Sequence, residues 1–162
     1  MKKQYPKIPD YATDDTQFMS GRFLMLTPEL LESKEFQKLS YAARSLYITL
    51  CVHKETEIQR LCLKKALEEY NEILNLGWSD TQILEESYPN KRTKYTHNYF
   101  VCPAKHLEDY GYKKNYATKL KQELINHGFI KAPFCNKGRY AGWNKNVTVY
   151  QFCNDWKKHG SL

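Results

Sequence analysis

Six polar side chains between positions 113 and 122 have the types and spacing to meet the edges of a nucleic-acid duplex. Asn115, Thr118, Lys119 and Gln122 recur at i, i+3, i+4 and i+7, so on a helix they form one stripe. Lys113 and Lys114 stand at its N-terminal end. An Asn or Gln amide carries the donor and acceptor that the major-groove edge of adenine complements, and a Lys ammonium can donate to guanine or to phosphate. Recognition is therefore the chemistry this group could perform. An ordinary solvated helix face would use the same residue types, so the stripe alone leaves both readings open.

The surrounding elements are what give the stripe a use. Apolar residues at Tyr116, Ala117, Leu120, Leu124 and Ile125 repeat with the 3.6-residue period of a helix over 113–127, with its buried face opposite the stripe. Gly128 stands where a left-handed C-cap residue belongs. Upstream, 99–103 reads as a short apolar strand, and 104–110 as a short helix with Leu107 inward that ends before Gly111. Downstream, 129–132 and 147–153 are β-branched and aromatic runs that read as two strands of a hairpin. Pro133 cannot donate to a ladder, which makes the first of these an edge strand or a bulged one. The loop 136–146 between them is too long for a tight turn. Its Lys137, Arg139 and Lys145, with Tyr140 and Trp143, suit a basic wing. Strand, helix, glycine turn, helix and hairpin in that order spell a winged helix-turn-helix, with Lys137, Arg139 and Lys145 as backbone or minor-groove contacts.

Charge is distributed in the same sense. From residue 91 onward there are 14 Lys and Arg against 4 Asp and Glu, whereas residues 1–90 hold 11 against 14. Concentrated positive charge in a chain of pI near 9.1 attracts polyanions.

The remainder reads as a globular body that holds this cassette. With 162 residues, 41% hydrophobic and 27% charged, the chain can bury one core and is neither disordered nor membranous. No apolar run approaches the roughly 20 residues of a membrane span, and the Met1-Lys2-Lys3 start lacks a signal peptide's apolar segment, so a cytoplasmic protein is expected. The five cysteines sit at scattered apolar positions, as reduced buried thiols do. The expected organisation is an N-terminal arm at 1–20, a single domain at 21–156 and a C-terminal tail at 157–162. Within the domain, 27–90 forms a helical body and 99–153 the helix-turn-helix and wing. The body is expected to begin with a strand at 22–26. A short helix with Leu30 and Leu31 inside follows, started by Thr27-Pro28. Ser40 caps a longer helix burying Ala43, Leu46, Tyr47, Leu50 and Cys51. A long amphipathic helix over 55–76 buries Ile58, Leu61, Cys62, Ala66, Tyr70, Ile73 and Leu74, and Ser79 opens another burying Ile83 and Leu84. Residues 55–87 carry 8 acidic and 3 basic side chains, so this helical pair would repel phosphate and face away from it. The fold class is α+β, mostly helical.

Pro28-Glu29-Leu30-Leu31 with Phe36, Leu39-Ser40, Ala42-Ala43 and Leu46-Tyr47, and later Glu123-Leu124-Ile125 with Gly128-Phe129-Ile130, resembles the winged-helix domains of plasmid and phage replication initiators and replisome organisers of Gram-positive mobile elements. The resemblance spans about residues 22–153. It implies binding of double-stranded DNA at an origin or operator, with residues 113–122 in the groove, in replication initiation or its transcriptional control. Such initiators usually continue into a further domain, and the acidic 55–87 segment departs from the pattern as an enlarged insertion.

Catalytic motifs are missing from the sequence: it has no glycine-rich phosphate loop and no His-x-His pair to serve a tyrosine nuclease. No enzymatic activity, cofactor or metal is expected. Cys102 and His106 could supply two metal ligands, with no evident third or fourth. His53, His97, His127 and His159 read as surface or capping residues. Beside duplex DNA, the partners to weigh are a second copy of the chain, whose two-fold axis would set half-sites roughly 34–36 Å apart, and a replication or transcription protein. A protein-interaction module of a mobile element is the alternative to DNA binding.

Overall fold

The computed structural model describes residues 24, 26–89, 96–135 and 147–159. Side-chain caps begin most of its helices. Thr27 opens α1 (Pro28–Glu32), where Pro28 occupies the first helical position, and Ser33 opens α2 (Lys34–Lys38). Ser40, Thr56 and Ser79 open α3 (Tyr41–His53), α4 (Glu57–Leu74) and α5 (Asp80–Ser87), each hydroxyl accepting from the backbone N–H three residues on. α4 ends in left-handed Asn75, two residues before Gly77. Then come β1 (Tyr99–Val101), α6 (Ala104–Asp109), α7 (Lys114–Asn126), β2 (Ile130–Phe134), β3 (Val149–Phe152) and α8 (Asp155–His159). The described part is mixed α and β and mostly helical.

The three strands form one antiparallel sheet in the order β1-β3-β2. That sheet divides the interior. Side chains alternate across a strand, so Phe100, Tyr150 and Phe152 turn toward α3 and α7, in a core with Leu46, Leu50, Ala117, Leu120, Leu124 and Phe129. Tyr99, Val101 and Val149 turn the other way, onto Leu63, Ala66, Leu67 and Tyr70 of α4 and Ile83 of α5. The acidic helices are thus the second cover of the sheet, giving helix, sheet and helix layers.

β2 serves both cores by means of a bulge. Ile130 pairs with Phe152 and Lys131 with Gln151, but Phe134 pairs with Val149, so β2 holds one extra residue between Lys131 and Phe134. Without it Ile130 and Phe134 would share a face. With it, Ile130 enters the first core and Phe134 packs with Tyr70, Trp78 and Tyr99 in the second. Pro133 falls inside this irregularity on an edge strand, as its missing N–H requires. The opposite edge is covered by a side chain: the amide oxygen of buried Gln59 accepts from Val101 N–H at 2.8 Å, and its Nε2 donates to the Lys54 carbonyl.

Several expectations for the body need correction. In α4 the buried line is Gln59, Leu63, Ala66, Leu67 and Tyr70, while Ile58 and Leu61 are 59% and 56% exposed. Apolar residues occur on more than one side of this helix, and the sheet selects the side that packs. Leu31 and Leu84 likewise point outward beside buried Leu30 and Ile83. Neither Leu24 nor Leu26 lies in a strand, and the rest of the strand expected at 22–26 lies outside the described residues. At the other end of the described residues, α8 runs from Asp155 to His159, with Trp156 buried and its ring stacked on Phe129 at 5.7 Å.

Candidate nucleic-acid interface

α7 offers one face to the core and the other to solvent. Ala117, Leu120 and Leu124 are buried; Lys113, Lys114, Asn115, Thr118, Lys119 and Gln122 are all exposed. All six are therefore open to solvent, Asn115, Thr118, Lys119 and Gln122 along the side of α7 away from its buried residues and Lys113 and Lys114 at its N-terminal end. Thr118 Oγ1 donates back to the Lys114 carbonyl, and Gln122 Nε2 to Asn126 Oδ1. The side chains of Lys113, Lys114, Asn115 and Lys119 make no hydrogen bond or ion pair among the described residues.

The start of α7 differs from that of the other long helices. Its N-cap is Lys113, with no side-chain cap hydrogen bond and no acidic residue in the first turn. The start of α3 is neutralised internally: Glu123 Oε2 accepts from Ser40 N at 3.3 Å and from Ser40 Oγ at 2.7 Å. α4 and α5 each carry an acid in the first turn. At α7 the unpaired N–H groups and the positive end of the helix dipole are left beside two lysines, an arrangement suited to an anion.

Contacts from four directions fix this helix. Its C-terminus closes as a Schellman motif, with Phe129 N–H donating to the Leu124 carbonyl and Gly128 N–H to that of Ile125. Gly128 adopts φ +81°, and a Cβ there would stand 2.7 Å from Trp156 N. Next to it His127 Nδ1 meets Glu35 Oε2 at 2.9 Å; the His127 and Lys38 hydrogen bonds lower the Glu35 pKa. On the sheet side, Lys121 Nζ donates to the Cys102 carbonyl at 3.4 Å and lies over the Tyr150 ring. At the entry, Gly111 turns at φ +91°, and the Tyr112 hydroxyl reaches Ser45 Oγ at 2.9 Å.

α6 is joined to α3 by a buried imidazole. His53 Nδ1 lies 3.2 Å from the Tyr110 hydroxyl, and His53 Nε2 lies 3.3 Å from His106 Nδ1. Burial, with the neighbouring His106 charge, depresses the His53 pKa to about 4. His53 is thus a core residue, and not the surface or capping residue expected. Its position on the Leu46, Leu50, His53 line of α3 is the signal that could have found it. His97 and His127 are also engaged, with Glu86 and Glu35. Burial pushes the Cys102 thiol up to about 12 and the Cys51 thiol up to about 11, so neither offers a thiolate. Among the described residues no group of three or more His, Cys, Asp or Glu side chains could hold a metal ion.

Tyr116 is a second departure. Expected inside, it is 50% exposed beside Asn115 and Lys119. At about 100° per residue it lies at the margin of the arc set by Ala117, Leu120 and Leu124, where periodicity alone does not decide. Lys137, Arg139, Lys145, Tyr140 and Trp143 lie outside the described residues. Among those described, no helix is long and apolar enough to cross a membrane.

Comparison with known proteins returns no matching family model, no matching curated protein and no matching solved structure.

Proposed function

We propose that the chain binds double-stranded DNA through a winged helix-turn-helix, with α6 as its first helix, α7 as the recognition helix and β2 and β3 bordering the wing segment. The observation that carries this reading is the surface of α7: exposed Lys113, Lys114, Asn115 and Lys119 without side-chain partners among the described residues, on a helix whose N-terminus has neither cap nor acid. Asn115, Thr118, Lys119 and Gln122 would meet base edges, and Lys113 and Lys114 phosphates. Lys137, Arg139 and Lys145 would add backbone contacts from the wing. The acidic α4 and α5 are partly occupied as the second cover of the sheet. The resemblance to initiators of mobile elements makes replication initiation, or its transcriptional control, the setting proposed.

Gel-shift titration with generic duplex between 50 and 200 mM salt tests the reading. The expected result is binding that weakens steeply with salt, with the Lys113→Ala/Lys114→Ala double change flattening the log–log slope by about 0.9 per lost phosphate contact. An unchanged affinity and slope would remove α7 from the interface. Failure to bind any duplex at low salt would favour a second reading, a protein-interaction module. Exposed Ile58 and Leu61 on acidic α4 support that one.

A further inference from the structure

Nine tyrosines lie among the described residues, and Tyr116 is unlike the other eight. Tyr47, Tyr70, Tyr99 and Tyr150 stack or make edge contacts with other rings. Tyr88, Tyr110 and Tyr112 hydrogen-bond through their hydroxyls, and Tyr41 carries the Arg44 guanidinium over its face. Tyr116 makes no ring contact, cation contact or hydrogen bond among the described residues, belongs to neither core, and stands half exposed. Placing an aromatic ring of this size in water forgoes burial that Ala117, Leu120 and Leu124 obtain on the same helix. Its neighbours on the exposed side are the polar and basic residues Lys113, Asn115 and Lys119, one turn or less away.

Resting on the DNA-binding reading, we propose that Tyr116 is a specificity-determining residue whose ring packs against the 5-methyl group of a thymine in the major groove. The chemistry selects that atom. In the major groove thymine presents an acceptor oxygen and a methyl group, and the methyl is the apolar feature that an aromatic face can bury. Asn115 and Lys119, on the stripe beside it, would meet hydrogen-bonding edges, so the helix would offer one apolar contact at the border of the polar ones. A phosphate would call on the hydroxyl instead of the ring, which makes the two modes separable.

The test begins with a duplex selected by the wild-type protein from a random library. Affinity is then measured for wild type, Tyr116→Phe and Tyr116→Ala on that duplex, and on copies in which each thymine in turn is replaced by deoxyuridine, which removes only the methyl. One position is expected at which deoxyuridine weakens wild type and Tyr116→Phe roughly four- to tenfold. Tyr116→Ala should lose a similar factor on the thymine duplex and nothing further on the deoxyuridine copy. Equal deoxyuridine sensitivity in wild type and Tyr116→Ala would overturn the proposal, as would a Tyr116→Phe loss equal to that of Tyr116→Ala, which marks a hydroxyl contact. Unchanged thermal unfolding of both variants shows that the fold is intact. Absence of any duplex binding by the wild type overturns the DNA reading and this inference together, whereas binding without methyl sensitivity overturns this inference alone.

Discussion

Acidification should loosen the joint between α3 and α6 through one imidazole. His53 is 1% exposed. Its pKa falls from 6.5 to about 4 because burial disfavours the cation and His106 adds like charge. The unfolded chain therefore takes up this proton first. Stability is level above about pH 7, declines as pH falls below 6.5, and goes on declining toward 4. Two ionisation curves with those midpoints differ by about 2 kcal/mol between pH 7 and pH 5, an appreciable fraction of a typical domain's 5–15 kcal/mol. The assay is urea unfolding of the wild type and of His53→Gln at both pH values. Glutamine keeps hydrogen-bonding atoms in place without titrating, so groups away from the His53–His106 contact cancel between the two proteins. The wild type should lose about 2 kcal/mol more than the variant on going from pH 7 to pH 5. Equal losses would refute the assignment of a buried, neutral His53. Glu35, whose pKa is lowered by His127 and Lys38, acts in a separate window: its contribution is present above its unfolded value of 4.5 and is lost as pH falls below that.

Gly128→Ala should destabilise by at least about 2 kcal/mol, one part from the left-handed backbone and the rest from the approach of the new Cβ to Trp156 N. Gly111→Ala, at φ +91° with open space around it, should cost only the backbone part; equal melting temperatures for the two variants would contradict this. Replacing Gln59 by Leu leaves Val101 N–H without its partner on the sheet edge and should cost about 1–3 kcal/mol in urea unfolding, with an unchanged denaturant midpoint as the contrary result. Sedimentation at micromolar concentration, free and on DNA, tests self-association. With the inner faces of α4 and α5 occupied by the second core, a monomer is expected, and a dimer is the contrary result.

Short-range features were legible from the residues alone. Thr27-Pro28, Ser40 and Ser79 begin helices because a hydroxyl can accept an N–H three residues on, whatever the helix packs against. Gly128 and Gly111 adopt positive φ because glycine has no Cβ to oppose it. The exposed face of α7 was legible too, since its apolar residues concentrate on one arc and leave the lysine and amide stripe opposite. Pro133 announced an irregular edge strand through its missing donor. What depended on distant partners could not be read this way. α4 has apolar residues on more than one side, and only the presence of β1 and β3 decides that Leu63 and Leu67 enter while Ile58 and Leu61 remain outside. His53 shares the buried line of α3 with Leu46 and Leu50, but the partners that hold its ring, His106 and Tyr110, come from 53 and 57 residues further along the chain. Tyr116 lies at the margin of an arc where periodicity does not choose between core and solvent, and among the described residues no element closes over it. Caps, turns and periods are settled within a few residues of chain, whereas burial on an ambiguous helix face is settled by whichever surface the tertiary structure brings against it.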